Sequence, residues 1–132
     1  MSELQEITDL LYGDGVPMPG SKVTEEEALR IVRERFRYPD YCIVRDWVWI
    51  DLDVSAEQLE ALRKTRRQPV IVYAHTVIYD SNRRWDVGDF VRTSPLHSFQ
   101  DGFIFQTLHT IYILLGDGER KRAPLETVGR IF

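Results

Sequence analysis

A single cysteine among 132 residues, Cys42, rules out an internal disulfide. An unpaired thiol predicts a reducing compartment such as the cytoplasm. No apolar run approaches the roughly 18 residues that suggest a membrane span; the longest, around Val70 and Ile111, are broken by polar side chains. The start, MSELQEITDLL, lacks the basic residues and apolar core of a secretory signal. Metal-ligand spacings such as HxxxH, HExxH or CxxC are missing, as are a P-loop, a GxGxxG turn and a GxSxG elbow. Low-complexity tracts and internal repeats are missing too. These absences predict a soluble cytoplasmic protein with no cofactor, no metal, no membrane partner and no catalytic residue that a motif would name.

What remains is the composition of a folded domain. Hydrophobic residues make up 43% and charged residues 29%, which argues against disorder. The length suits one domain, 1–132, with a helical part over 1–38 and a β-rich part over 41–132. The net charge of −4 conceals an asymmetry, because residues 1–62 hold 14 acidic and 6 basic side chains and residues 63–132 hold 7 and 11. The acidic total lowers the expectation of nucleic-acid binding without removing it.

Ser2 and Gln5 suggest a capping box that opens a helix over 2–12. Gly13 to Lys22, with three glycines and two prolines, reads as a loop. Thr24 and Glu27 start a second helix over 24–37, buried along Leu29, Val32 and Phe36 and ended by Pro39. Alternation over 41–51 predicts a strand with Tyr41, Ile43, Arg45, Trp47 and Trp49 on one face, and Cys42, Val44, Asp46, Val48 and Ile50 on the other. Ser55 and Gln58 open a short helix over 55–66. Further strands are expected near 70–79, 89–93, 103–107, 110–115 and 127–132, with turns at Asp80-Ser81-Asn82, Gly88-Asp89, Asp101-Gly102 and Gly116-Asp117-Gly118. The expected fold class is therefore α+β: an antiparallel sheet or small barrel-like meander with two N-terminal helices and one short helix. The loop from Thr93 to Gly102 is its expected functional rim.

The three histidines, His75, His97 and His109, have no carboxylate or thiol at a ligand spacing. His75-Thr76 and His109-Thr110 differ from the HxT pairs of phosphoesterases, and neighbouring strand residues point to opposite faces. Cys42 lies in an apolar strand and reads as a small buried hydrophobe. The basic residues form three clusters: Arg63, Lys64, Arg66 and Arg67; Arg83 and Arg84; Arg120, Lys121 and Arg122. The second adjoins Trp85, a stacking surface, so Arg83, Arg84, Trp85, Arg92 and His97 are the candidate binding residues. Solvated hairpin tips are the plain alternative for such runs. Trp47, Trp49, Trp85 and Phe103 are expected in the core.

The stretches VIYDS at 77–81, GDFVRTS at 88–94 and YILLGDGERK at 112–121 resemble a family of short uncharacterised proteins of pseudomonads and related proteobacteria, some of them prophage-encoded. The resemblance covers about the last 60 residues and implies a bacterial, cytoplasmic protein with a β-rich C-terminal unit; it brings no activity or site residue with it. The expected function is a non-enzymatic binding module, such as a phage or prophage accessory protein that engages a host protein, with a homo-oligomer also compatible. One alternative is a nucleic-acid-binding β domain that uses its basic tips. Another is a hydrolase or transferase built on His75 and His97.

Overall fold

The computed structural model describes residues 3–36 and 40–129. In chain order the elements are α1 (Glu3–Tyr12), β1 (Val16–Met18), α2 (Glu25–Arg35), β2 (Asp40–Asp53), α3 (Ala56–Lys64), β3 (Val70–Asp80), β4 (Val91–Arg92), β5 (Ser98–Gln100), β6 (Ile104–Gln106), β7 (Thr110–Leu114), β8 (Gly118–Pro124) and α4 (Leu125–Gly129). Ser2, Pro39 and the last three positions of the expected strand near 127–132 lie outside the described residues.

The helices start where their caps predict. Thr24 Oγ1 accepts from Glu27 N at 3.2 Å, and Glu25 to Glu27 sit at the positive end of α2. Ser55 and Gln58 form the reciprocal box of α3, at 3.1 and 2.8 Å. α2 buries Ala28 and Val32, with Leu29 and Phe36 packed beside them. α3 buries no residue at all. Its C-terminus turns through Arg66, at φ 58, so that Arg67 N reaches Leu62 O at 2.9 Å. Glycine usually supplies this left-handed cap.

The sheet runs β1-β8-β2-β7-β6-β5, with β3 on the opposite edge of β2 and β4 beyond it. The fold is α+β and the sheet curls into a half-barrel. It is mixed, where a wholly antiparallel sheet was expected: β2 is antiparallel to β3 and parallel to both β7 and β8. β7 and β8 lie end to end along one edge of β2, so Gly116-Asp117-Gly118 is a step within one course and not a hairpin turn. The expected loop from Gly13 to Lys22 contains β1, which pairs with β8. The expected rim from Thr93 to Gly102 belongs to the sheet. Thr93 N and Leu96 N donate to Val72 O and Val70 O, and β5 pairs with β6, so the segment bridges β3 to β6. Residues 127–129, expected in a strand, lie in α4. Pro124, the last paired residue of β8, has no amide to extend the ladder, and Thr127 and Val128 are buried from a helical turn instead.

The faces of β2 differ from simple alternation. One core cluster contains Cys42 and Val44 and then Trp47 and Trp49, so the buried face shifts from even to odd positions. The shift falls at Arg45-Asp46, where Asp46 takes φ 52. Both neighbours absorb it. Val44 faces Leu114 and Val48 faces Glu119, so four steps on β2 meet five on β7 and β8. On the other edge Ile43 faces Tyr79 and Val44 faces Val77, leaving Ile78 as an extra residue. β3 changes phase in step, with Val72 and Ala74 and then Val77 in the same cluster.

The slip sorts the hydrophobic residues into three groups. Trp47, Trp49, Val72, Leu96, Phe105 and Tyr112 share the inner face of the curl. On the outer face Ile43, Ile111 and Ile113 pack under α2, while Val48, Ile50, Leu52 and Tyr73 pack with Leu10 of α1 and Val128 of α4. Gly118 must be glycine, because a Cβ there would collide with the Trp47 ring and carbonyl. Lys121 pins α1 to the sheet: its Nζ donates to Asp9 O at 3.2 Å, to Leu10 O at 2.8 Å and to Gly13 O, satisfying carbonyls that the helix end leaves open.

The slip can be tested at Asp46, whose side chain is exposed. Asp46→Val should lower the unfolding free energy in urea by about 1–2 kcal/mol, the cost of left-handed backbone for a branched residue. Asp46→Asn and Asp46→Gly should stay within about 0.5 kcal/mol of the parent. Equal costs for all three would show that backbone geometry is not the constraint.

Candidate functional site

The site is built from the loop after β3. Asp80 closes that strand with a fully buried side chain. A buried carboxylate needs a partner, and Arg84, four residues on, supplies it: Nη2 to Oδ1 at 2.7 Å, Nε to Oδ2 at 3.2 Å and the backbone N to Oδ2 at 2.6 Å. Arg83, at φ 52, turns the chain back so that this ring can close. Arg84 Nη1 also donates to Thr110 Oγ1 at 2.8 Å, tying the loop to the start of β7. Burial works against the Arg84 charge, but the hydrogen bonds and charge of Asp80 outweigh it and hold the guanidinium above its ordinary range.

Trp85 is half-buried and packs on the inner core, 6.4 Å from the Tyr112 ring, with the Arg84 guanidinium 4.6 Å from its own centroid. Below it, burial raises the Tyr112 hydroxyl well above its ordinary value and pushes the Cys42 thiol up to about 12. Asp80 adds to both effects and Arg84 opposes both. Thr107 shapes the turn between β6 and β7 by accepting from Thr110 N at 3.1 Å and donating to Thr110 O at 3.2 Å.

Between this turn, the Arg84-Trp85 loop and the end of α3 lies a cleft of about 410 Å³. Arg67, Arg84, Arg92 and His109 line it with Trp85, Tyr112, Ser94, Thr107, Leu108 and Thr110, and among the described residues no carboxylate lines it. Arg67 Nε donates to Thr65 Oγ1 at 2.8 Å, and Arg92 Nη1 to Val128 O at 3.2 Å.

Three of the five residues singled out from sequence, Arg84, Trp85 and Arg92, therefore meet at one cleft. Arg83 is exposed in the same loop and is not among the lining residues. His97 is elsewhere, with Nδ1 2.8 Å from Arg66 O. His75 is on the outer face, its Nε2 donating to Leu11 O at 3.1 Å between the rings of Tyr12 and Tyr73. Neither His75 nor His97 lines the cleft. Arg67, Tyr112 and the Thr107–Thr110 turn were not among the candidates; the basic run ending in Arg67 was the one signal that pointed there.

Residues 19–130 match the family model of a domain of unknown function (DUF6957). The chain belongs to this family. Every residue of the cleft lies inside the match, whereas α1 and β1 precede it. No curated protein and no solved structure matches the chain. Among the described residues no helix is long and apolar enough to cross a membrane, and no group of three or more metal-ligating side chains is found.

Two outcomes are expected for the groups under the cleft. Arg84→Met should cost about 3–5 kcal/mol in a urea melt by stranding buried Asp80, and adding Asp80→Asn should recover part of the loss. Cys42 should resist thiol reagents until the protein unfolds. Its folded pKa is raised from 9.0 to about 12, so its contribution to stability is complete below pH 9 and fades as pH rises towards 12. Cys42→Ala should flatten that part of the stability profile relative to the parent; identical profiles would disprove the assignment.

Proposed function

We propose that the chain is a binding module, not a catalyst, and that it holds an anionic partner in the cleft beside Trp85. The observation that carries this reading is the fate of the three basic clusters. Arg120 is paired with Asp51 at 2.7 Å and Arg122 with Asp53 at the surface, and Lys121, whose side chain is buried, with the carbonyls at the end of α1, so each member of the third cluster already has a partner within the chain. The first and second clusters instead converge, and Arg67 and Arg84 line the same acid-free cleft. Asp80 matches the charge of Arg84, while the hydrogen bond of Arg67 goes to a neutral hydroxyl. An uncompensated cation beside two aromatic rings favours an anion with an apolar face.

Two chemistries meet that description: an acidic segment of a protein partner and a phosphate-bearing molecule. A cytoplasmic setting belongs to the proposal, since the one thiol is buried and has no second cysteine to pair with.

Titration with inorganic pyrophosphate and, separately, with hexaglutamate, followed by backbone amide NMR, tests the site without deciding between them. At least one should shift the amides of 84–94 and 107–110 saturably at low salt. Arg67→Glu should weaken that binding by about ten- to a hundredfold, as expected for losing a charge-assisted hydrogen bond of ~1.5–3 kcal/mol. Silence from both ligands, or shifts that persist in the variant, would overturn the proposal.

A further inference from the structure

We infer that the anionic partner is a single-stranded nucleic acid, with one nucleotide in the cleft and the phosphates of its neighbours on the flanking cations. The inference rests on the anion-binding reading of the cleft and adds what the cations outside it imply.

A compact anion would be satisfied by the lining residues alone. Further basic side chains stand next in sequence to two of them, Arg67 and Arg84. At the end of α3, next to Arg67, Arg63, Lys64 and Arg66 are exposed and, among the described residues, their side chains make no hydrogen bond or ion pair. The left-handed turn at Arg66 leads the chain from the helix to Arg67, which lines the cleft. In the loop that carries Arg84 and Trp85, Arg83 is exposed, and its side chain also makes no hydrogen bond or ion pair among the described residues. Unpaired cations next in the chain to both Arg67 and Arg84, two residues that line the cleft, suit a ligand with more than one phosphate.

The interior selects the other part of the ligand. Trp85 and Tyr112 line the cleft, Tyr112 buried and Trp85 part-buried with the Arg84 guanidinium over its ring, so the surface a base would lie against is the Arg84–Trp85 stack. Carboxylates alone would use the arginines and leave that surface unused. A duplex keeps its bases stacked inside, and reading one takes a helix or β-ribbon in the groove. Of α3 only the chain just past its C-terminus reaches this cleft, and the loop and turn that form the other walls offer neither, so the fitting substrate is a strand whose bases are already free.

The test uses the whole chain and fluorescein-labelled dT12 or U12, with a mononucleotide, a 12-base-pair duplex and hexaglutamate as comparators, by anisotropy and tryptophan quenching. The single strand should bind at least about tenfold tighter than the mononucleotide or the duplex at low salt. The triple variant Arg63→Ala, Lys64→Ala, Arg66→Ala should weaken the 12-mer and leave mononucleotide binding unchanged. It should also make the log–log salt slope less negative by about 2, near 0.7 for each phosphate that is no longer neutralised. These substitutions are on exposed side chains, and thermal melts should confirm an unchanged fold. A 12-mer that binds no tighter than a mononucleotide, or a triple variant that binds like the parent, overturns the inference. Hexaglutamate binding that Arg67→Glu abolishes, with no binding of either 12-mer, would remove the nucleic acid and keep the anion site. Failure of every probe would remove both.

Discussion

The arrangement of the molecule depends on one backbone constraint, the phase slip at Arg45-Asp46 in the middle of β2. A strand that alternated without interruption would place Cys42 and Val44 on the face opposite Trp47 and Trp49. The slip brings all four to the inside of the curl and leaves Ile43 beneath α2 and Ile50 beneath α1 and α4. Because β2 pairs along nearly its whole length on both edges, its neighbours must slip with it. β3 does so with an extra residue at Ile78, and the β7–β8 course does so around Gly116-Asp117-Gly118. Trp47 then seals the junction, its Nε1 lying 3.3 Å from both Leu115 O and Gly116 O.

The cleft is a second consequence of the same geometry. β3 ends beside the start of β7 because both pair with the first half of β2: Cys42 faces Asp80 on one edge and Tyr112 on the other. The Asp80-Arg84 ring then holds the following loop over that junction, with Thr110 as its far anchor. The segment from Thr93 to Leu96 supplies the remaining wall as it crosses from β3 towards β6. An ion pair to a buried carboxylate contributes little net stability against an apolar replacement, yet it defines one position for the loop that carries it.

Much of the architecture was legible in local sequence. The capping residues Thr24, Ser55 and Gln58 act as their spacing predicts, and the apolar runs near 70–79 and 110–115 are strands. Cys42 is buried, as its apolar neighbours imply. β8 was illegible because its central residues, Glu119 to Arg122, look like a solvated tip; each basic side chain finds its partner about 70 or 110 positions away. β1 was hidden by Pro17 within it and Pro19 after it, and α4 by the β-branched pair Thr127 and Val128, which suits a strand equally well.

The sequence by itself determined the elements whose signals are short-range: caps, periodic apolar faces, and the excess of basic residues after position 62. Tertiary structure alone decided which face of β2 looks inward, which arginines are spent on Asp51, Asp53 and Asp80, and which converge beside Trp85. The physical reason is that a side chain's local preference says whether it can be buried or paired, whereas its partner is set by strand register between distant segments. Register here follows from one residue in left-handed backbone, Asp46, which no periodicity in the sequence announces.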